Sequence, residues 1–176
     1  MILFLTFTLR GNTMNAIEIT ASTLESTGQM LSMFLSDLSD ADLLVCPVEG
    51  ANHIAWQIGH LISAERMTVN NLPDVSYPIL SPEFEATHSR DSTTKQSHAG
   101  FLSKAQYLKM MEESRLATLT ALRKLKDADL DKPTVGRLAA KAPTLGKLLL
   151  LCSNHTLMHM GQFSVIRRKL GKPVLF

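Results

Sequence analysis

The chain has 176 residues, with 18 lysines and arginines against 16 acidic residues, a formal charge of +2, and a 45% hydrophobic composition. This length suits one domain with a substantial core, and interspersed charges without Lys/Arg runs among aromatics speak against a nucleic-acid surface. Two cysteines, Cys46 and Cys152, are too few for a secreted disulfide framework and fit reduced thiols in a cytoplasmic protein, while no apolar run reaches the ~18–20 residues of a membrane span.

The opening Met1–Arg10 is apolar but lacks a basic leader and a small-residue cleavage site, so it makes a weak export signal. Residues 1–13 read as an N-terminal extension, and residues 14–176 as a single domain beginning at Met14. From Ile17 to Leu38, apolar residues at Ile17, Leu24, Leu31, Phe34, Leu35 and Leu38 recur at helical intervals. Pro47 and Gly50 break the pattern, after which Asn52 can cap a second helix carrying Ile54, Ala55, Ile58, Leu61 and Ile62 and ending near Asn71.

Between Pro73 and Gly100 no period is sustained, so this stretch reads as a long loop, able to close over a pocket or meet another subunit. Ser103 with Gln106 offers a capping box to a third helix, whose apolar face runs through Tyr107, Met111, Leu116, Leu119 and Leu122. A fourth helix opens at Leu145 with Thr144 as its cap and runs to the Gly171 and Pro173 stop, with Arg167, Arg168 and Lys169 at the negative end of its dipole. The fold expected is all-α, an antiparallel-type four-helix bundle with a long connection between the second and third helices.

His155 and His159 stand one turn apart on the fourth helix, on the stripe begun by Leu145 and Leu148, so both rings point inward. His60 lies on the second helix, where Gly59 permits a close helix approach and Trp56 could wall a site. Buried neutral imidazoles need partners, and one metal ion would satisfy several at once. The residues alone leave two readings open: a three-histidine metal site, or core histidines hydrogen-bonded separately.

Trp56-Gln57-Ile58-Gly59-His60-Leu61, together with His155-x-x-x-His159-x-Gly161-Gln162 and the lead-in Thr144-Leu145-Gly146-Lys147-Leu148-Leu149, resembles the DinB-like, or YfiT-like, metal-binding four-helix bundles. The resemblance runs over nearly the whole chain from Met14. It implies that His60, His155 and His159 bind one divalent ion, zinc or nickel, and it suggests a transferase joining a low-molecular-weight thiol to a small electrophile. A homodimer is compatible with this reading. The other reading is a non-catalytic bundle whose metal stabilises the fold or supports a stress-response interaction.

Other residues carry weaker expectations. His53 reads as a cap or surface residue that could substitute as a ligand, and His88 and His98 as solvated loop residues. Glu65 reads as a solvated carboxylate near Arg66, with a base or partner to a metal ligand as its functional alternative. Asn52, Gln57 and Gln162 are candidates to orient ligands. Cys152 reads as a compact core residue, against the alternative of a fourth ligand closing a structural zinc site.

Overall fold

The computed structural model describes residues 14–92 and 100–175. The expected extension over residues 1–13, and His98, lie outside the described residues. Among the described residues five α-helices occur: α1 (Ala16–Leu35), α2 (Ile54–Arg66), a short α3 (Pro82–Thr87), α4 (Lys104–Leu122) and α5 (Leu145–Lys169). No strand is present among them; an isolated bridge pairs Pro133 with Thr144.

Local chemistry explains the helix boundaries. Asn15 accepts from the Glu18 amide to start α1, the Ser103–Gln106 capping box starts α4 as expected, and Thr144 caps α5. The cap of α2 is His53 rather than Asn52: its Nδ1 accepts the Trp56 amide at 3.1 Å. The helix itself ends at Arg66, and a single 3-10 turn, Val69–Asn71, carries the chain to the expected boundary. The stretch expected to be loop contains α3, capped by Ser81 with Pro82 in its first turn, and a 3-10 turn at Arg90–Ser92.

The main packing pairs are α1 with α5, α2 with α4, α1 with α4, and α2 with α5, so α1 faces α2 across the bundle diagonal. Arg167, near the end of α5, donates to the Phe34 carbonyl at the end of α1, so these helices run the same way. Lys104, at the start of α4, reaches the Leu35 and Ser36 carbonyls, so α4 runs opposite to α1. The bundle is therefore two parallel pairs packed against each other, where simple antiparallel neighbours were expected. The 18 residues from Ser36 to His53 make this order accessible, because they can cross an end of the bundle where a short hairpin loop could not.

Two apolar clusters fill the ends. One joins Phe34 and Leu35 of α1, Ile54 and Ile58 of α2, Tyr107 of α4 and Phe163 of α5; the other joins Leu24, Leu119, Leu122, Leu145 and Leu148. Phe163 is wholly buried, and its truncation to alanine would cost about 3–5 kcal/mol.

Between the clusters lies a polar layer centred on Arg115 of α4. Its guanidinium reaches Glu65 of α2 at 2.9 Å, Thr27 of α1 at 3.0 Å and Thr156 of α5 at 3.4 Å, and it also donates to the Leu24 carbonyl. One side chain thus ties all four long helices. Glu65, expected to be solvated, is buried, and also accepts from Thr118 at 2.7 Å. The apolar face expected for α4 is interrupted accordingly: Leu116 is 60% exposed while Ser114, Arg115 and Thr118 take interior positions.

Candidate metal centre

The antiparallel packing of α2 and α5 brings His60, His155 and His159 together. One nitrogen from each lies within 4.8 Å of the others, and the Nε2 atoms of His155 and His159 are 3.1 Å apart. The rings meet edge-on or tilted, at centroid distances of 5.2 Å for His60 with His155 and 5.6 Å for His60 with His159. Trp56 stacks on His60 at 4.9 Å and 11°, while its indole N–H donates to Ser92 Oγ at 2.8 Å. The site is thereby walled on one side by an aromatic plane anchored to the α3–α4 connection.

Gln57 fixes the tautomer of His159. Its Nε2 donates to the Asn52 carbonyl at 2.7 Å, which turns Oε1 toward His159 Nδ1 at 2.8 Å. An amide oxygen only accepts, so Nδ1 carries the proton and Nε2 presents a lone pair toward His155. Two nitrogens 3.1 Å apart need a shared proton or a shared cation. Nitrogen ligands about 2.0–2.1 Å from a zinc ion lie up to about 4 Å from each other, so this pair fits a common ion, and His60 needs only a small side-chain adjustment to join it.

The electrostatics agree with ligand chemistry, which needs unprotonated imidazole. Burial, then the neighbouring His60 and the cations Arg90 and Lys141, pushes His155 down to about 4. Burial, then His155 and His60, pushes His159 down to about 3. His60 is lowered chiefly by burial, partly countered by a hydrogen bond to the His88 backbone, with Arg90 and Arg137 lowering it further. At neutral pH the lone pairs are available.

The remaining candidates are distributed differently from expectation. His53 is the α2 cap described above, its ring edge-on to Phe101 at 4.4 Å, and it does not join the triad. Cys152 does not join it either: burial and the Glu65 charge push its thiol up to about 12, far from the thiolate a metal prefers. Gln162 is exposed, and Glu65 is committed to Arg115. Among the orienting candidates Asn52, Gln57 and Gln162, it is Gln57 that hydrogen-bonds a triad member.

His88 is the largest departure. It is 1% exposed where a solvated loop residue was expected. Its Nδ1 donates to the Phe84 carbonyl at 2.7 Å, leaving Nε2 to accept the Tyr107 hydroxyl at 2.7 Å. Loop polarity in the sequence hid this; an isolated histidine six residues after Pro82 of a Ser-Pro helix start carries no periodic signal.

The triad opens on one side. His60 and His155 line a cleft of about 940 Å³ between α2, α5 and the two long connections, with Tyr77, Arg66, Arg137 and Lys141 on its walls.

The sequence profile of the DinB superfamily matches residues 23–163. Among solved structures, the chain is similar to YfiT from Bacillus subtilis, described as "a probable metal-dependent hydrolase with an unusual four-helix bundle topology", with a TM-score of 0.66, 17% identity and 89% of each chain covered. It is also similar to a conserved protein from Enterococcus faecalis, with a TM-score of 0.65 and 16% identity over 91% of this chain and 100% of that one. No curated protein matches the sequence at a significant level.

Proposed function

The chain belongs to the DinB superfamily, and from that premise we propose that His60, His155 and His159 hold one divalent ion, zinc or nickel, in an enzyme that joins a low-molecular-weight thiol to a small electrophile. The observation that carries the reading is the open face of the triad on the 940 Å³ cleft. A structural zinc site is closed by four protein ligands, whereas three ligands beside a cleft leave room for a reactant. That contrast favours catalysis over a bundle in which the metal only stabilises the fold. When bound, the ion supplies Lewis-acid chemistry, lowering the pKa of a nucleophile beside it.

The chain's own residues do the rest. Gln57, held by the Asn52 carbonyl, keeps His159 in the tautomer that offers Nε2. Trp56 fixes the plane of His60, and the His88 backbone holds the same ring from the loop side. The cleft volume, near the upper end of small-molecule sites, accommodates a thiol and an electrophile together. In the transfer the thiol proton passes to solvent, sulfur forms the new bond to the electrophilic carbon, and the leaving group departs with the bonding pair.

A second reading, hydrolysis, is favoured by the description of YfiT as a probable metal-dependent hydrolase. The experiment is metal analysis of untagged protein purified without chelator, then assay of the loaded protein on an aromatic electrophile and on an ester, each with and without glutathione, cysteine or bacillithiol. Stoichiometric metal lost in His60→Ala, His155→Ala and His159→Ala, with thiol-dependent product, supports the transferase. Thiol-independent ester cleavage supports the hydrolase. Protein that takes up no stoichiometric metal under replete conditions overturns both.

A further inference from the structure

The cleft beside the triad is lined by four cations from three segments: Arg66 at the end of α2, Arg90 after α3, and Arg137 and Lys141 on the α4–α5 connection. The carboxylates that face them are Glu85 and Asp91, since Glu65 is neutralised by Arg115. None of the four cations forms an ion pair among the described residues; Arg137 instead touches the Met67 sulfur at 2.7 Å. The positive field reaches the triad, because Arg90 and Arg137 act on His60 and Arg90 and Lys141 act on His155.

Exposed cations at a rim are ordinarily just solvated, and three of these four are exposed. Arg66 is the exception. It is partly buried, and its Nη1 is shielded from water with no hydrogen-bond acceptor. A guanidinium has donors in a fixed fork and no acceptor of its own, so a partly desolvated Arg66 on the cleft wall, unpaired with any carboxylate among the described residues, keeps donors for an anion. Its neighbours on the cleft wall provide the complementary field, and a carboxylate or phosphate is the group that satisfies such a set.

We propose that Arg66, Arg90, Arg137 and Lys141 form an anion subsite that docks the carboxylate or phosphate of a small-molecule reactant, holding its reactive end toward His60 and His155. This rests on the reading of the cleft as the reactant site, and it names the charge of what enters: an anionic small molecule, with neutral apolar compounds excluded. The anion could belong to the thiol or to the electrophile.

The test begins with metal-free protein titrated with inorganic phosphate, succinate and the uncharged succinamide, followed by amide chemical shifts in NMR. Saturable shifts at the cleft for the two anions, absent for succinamide, are expected. Arg137→Gln and Lys141→Gln change exposed side chains, so folding is spared, and together they should weaken anion binding at least about tenfold. Arg66→Gln should do so alone, with an unchanged amide spectrum elsewhere as the folding control. Equal binding of succinamide, no saturable shifts with either anion, or anion affinity unchanged in the Arg137/Lys141 double variant overturns the subsite.

A second arm uses cobalt-loaded protein and the visible spectrum, with mercaptosuccinate against 2-mercaptoethanol as probes. If the double variant loses affinity only for mercaptosuccinate, the anion belongs to the thiol; if both thiols bind unchanged while phosphate binding is weakened, it belongs to the electrophile. Both results support the subsite. Metal uptake by the same variants separates the two levels: intact metal binding with intact anion binding sinks the subsite alone, whereas failure to load any metal sinks the proposed function.

Discussion

The ring of His88 packs directly against the bare Cα of Gly59: a Cβ built on Gly59 would lie 2.1 Å from His88 Cδ2. Gly59 had been expected to admit another helix; what it admits is the loop. His88 is itself held by Phe84 and Tyr107, and its backbone hydrogen-bonds to His60, the residue next to Gly59. The end of α3 is therefore seated on α2 beside the candidate ligand His60. Gly59→Ala should push His88 out, cost about 1–3 kcal/mol as an overpacking change, and lower metal affinity. The double variant Gly59→Ala/His88→Ala should recover part of the stability, which a thermal or urea unfolding series would read; equal destabilisation of the single and double variants would argue against the contact.

Gln57→Leu removes the acceptor that holds the His159 proton on Nδ1. Partners of this kind to metal ligands are worth about 10–100-fold in metal affinity, so competition with a chromogenic chelator should show a loss in that range. Gln57→Glu keeps the acceptor and should retain affinity far better than Gln57→Leu.

The Glu65–Arg115 pair sits in the polar layer with both side chains almost fully buried. Arg115→Ala would strand a buried carboxylate and remove one donor each from the Leu24 carbonyl and the Thr27 hydroxyl, at about 3–5 kcal/mol. Replacing both residues with apolar ones, as in Glu65→Leu/Arg115→Met, should cost less than the single change, because no charge is left unpaired. Urea denaturation of the three proteins measures this.

The metal-free protein should lose stability on acidification through its histidines. In the fold His155 titrates at about 4 and His159 at about 3, against 6.5 for an ordinary imidazole, so as pH falls the unfolded chain takes up protons first. More protons bound in the unfolded state means stability falls with falling pH. The loss begins near pH 6.5, continues to about 3–4, and is then complete for these two groups. Denaturation midpoints across that range should slope less in His155→Ala and His159→Ala than in the parent. A slope that is the same in all three would remove these histidines as its cause.

Bound metal should stabilise the fold by mass action, at about 2.7 kcal/mol when free metal is 100 times its dissociation constant. Chelator should lower the melting temperature of the parent and leave His155→Ala unmoved. A parent protein indifferent to both zinc and chelator would contradict a site that binds only the folded chain.

Periodic features were legible from residue order. The stripe through Leu145, Leu148, His155, His159 and Phe163 placed two candidate ligands on the inner face, and the Ser103–Gln106 box marked the start of α4 to the residue. Long-range polar pairing was not legible. Glu65 and Arg115 are 50 positions apart, His88 and Tyr107 are 19 apart, and Gln57 reaches His159 across 102. In each case the burial of a polar residue depends on a partner supplied by another element, so local pattern reads Glu65 and His88 as solvated and leaves Gln57 an orienting candidate without a named partner. Helix direction was hidden for a related reason: periodicity marks faces, and which way α5 runs beside α1 is set by the crossings at the bundle ends.

That the first and last long helices lie side by side has a consequence for the order of events during synthesis. Arg167 closes the bundle by reaching back to Phe34 and Asp37, and α5 brings two of the three histidines. A growing chain released only as far as α4 has one wall of its core open and a single member of the triad. Ion capture of the proposed kind must therefore wait for the final helix, making it a late checkpoint on completed folding instead of a nucleus around which the earlier helices gather.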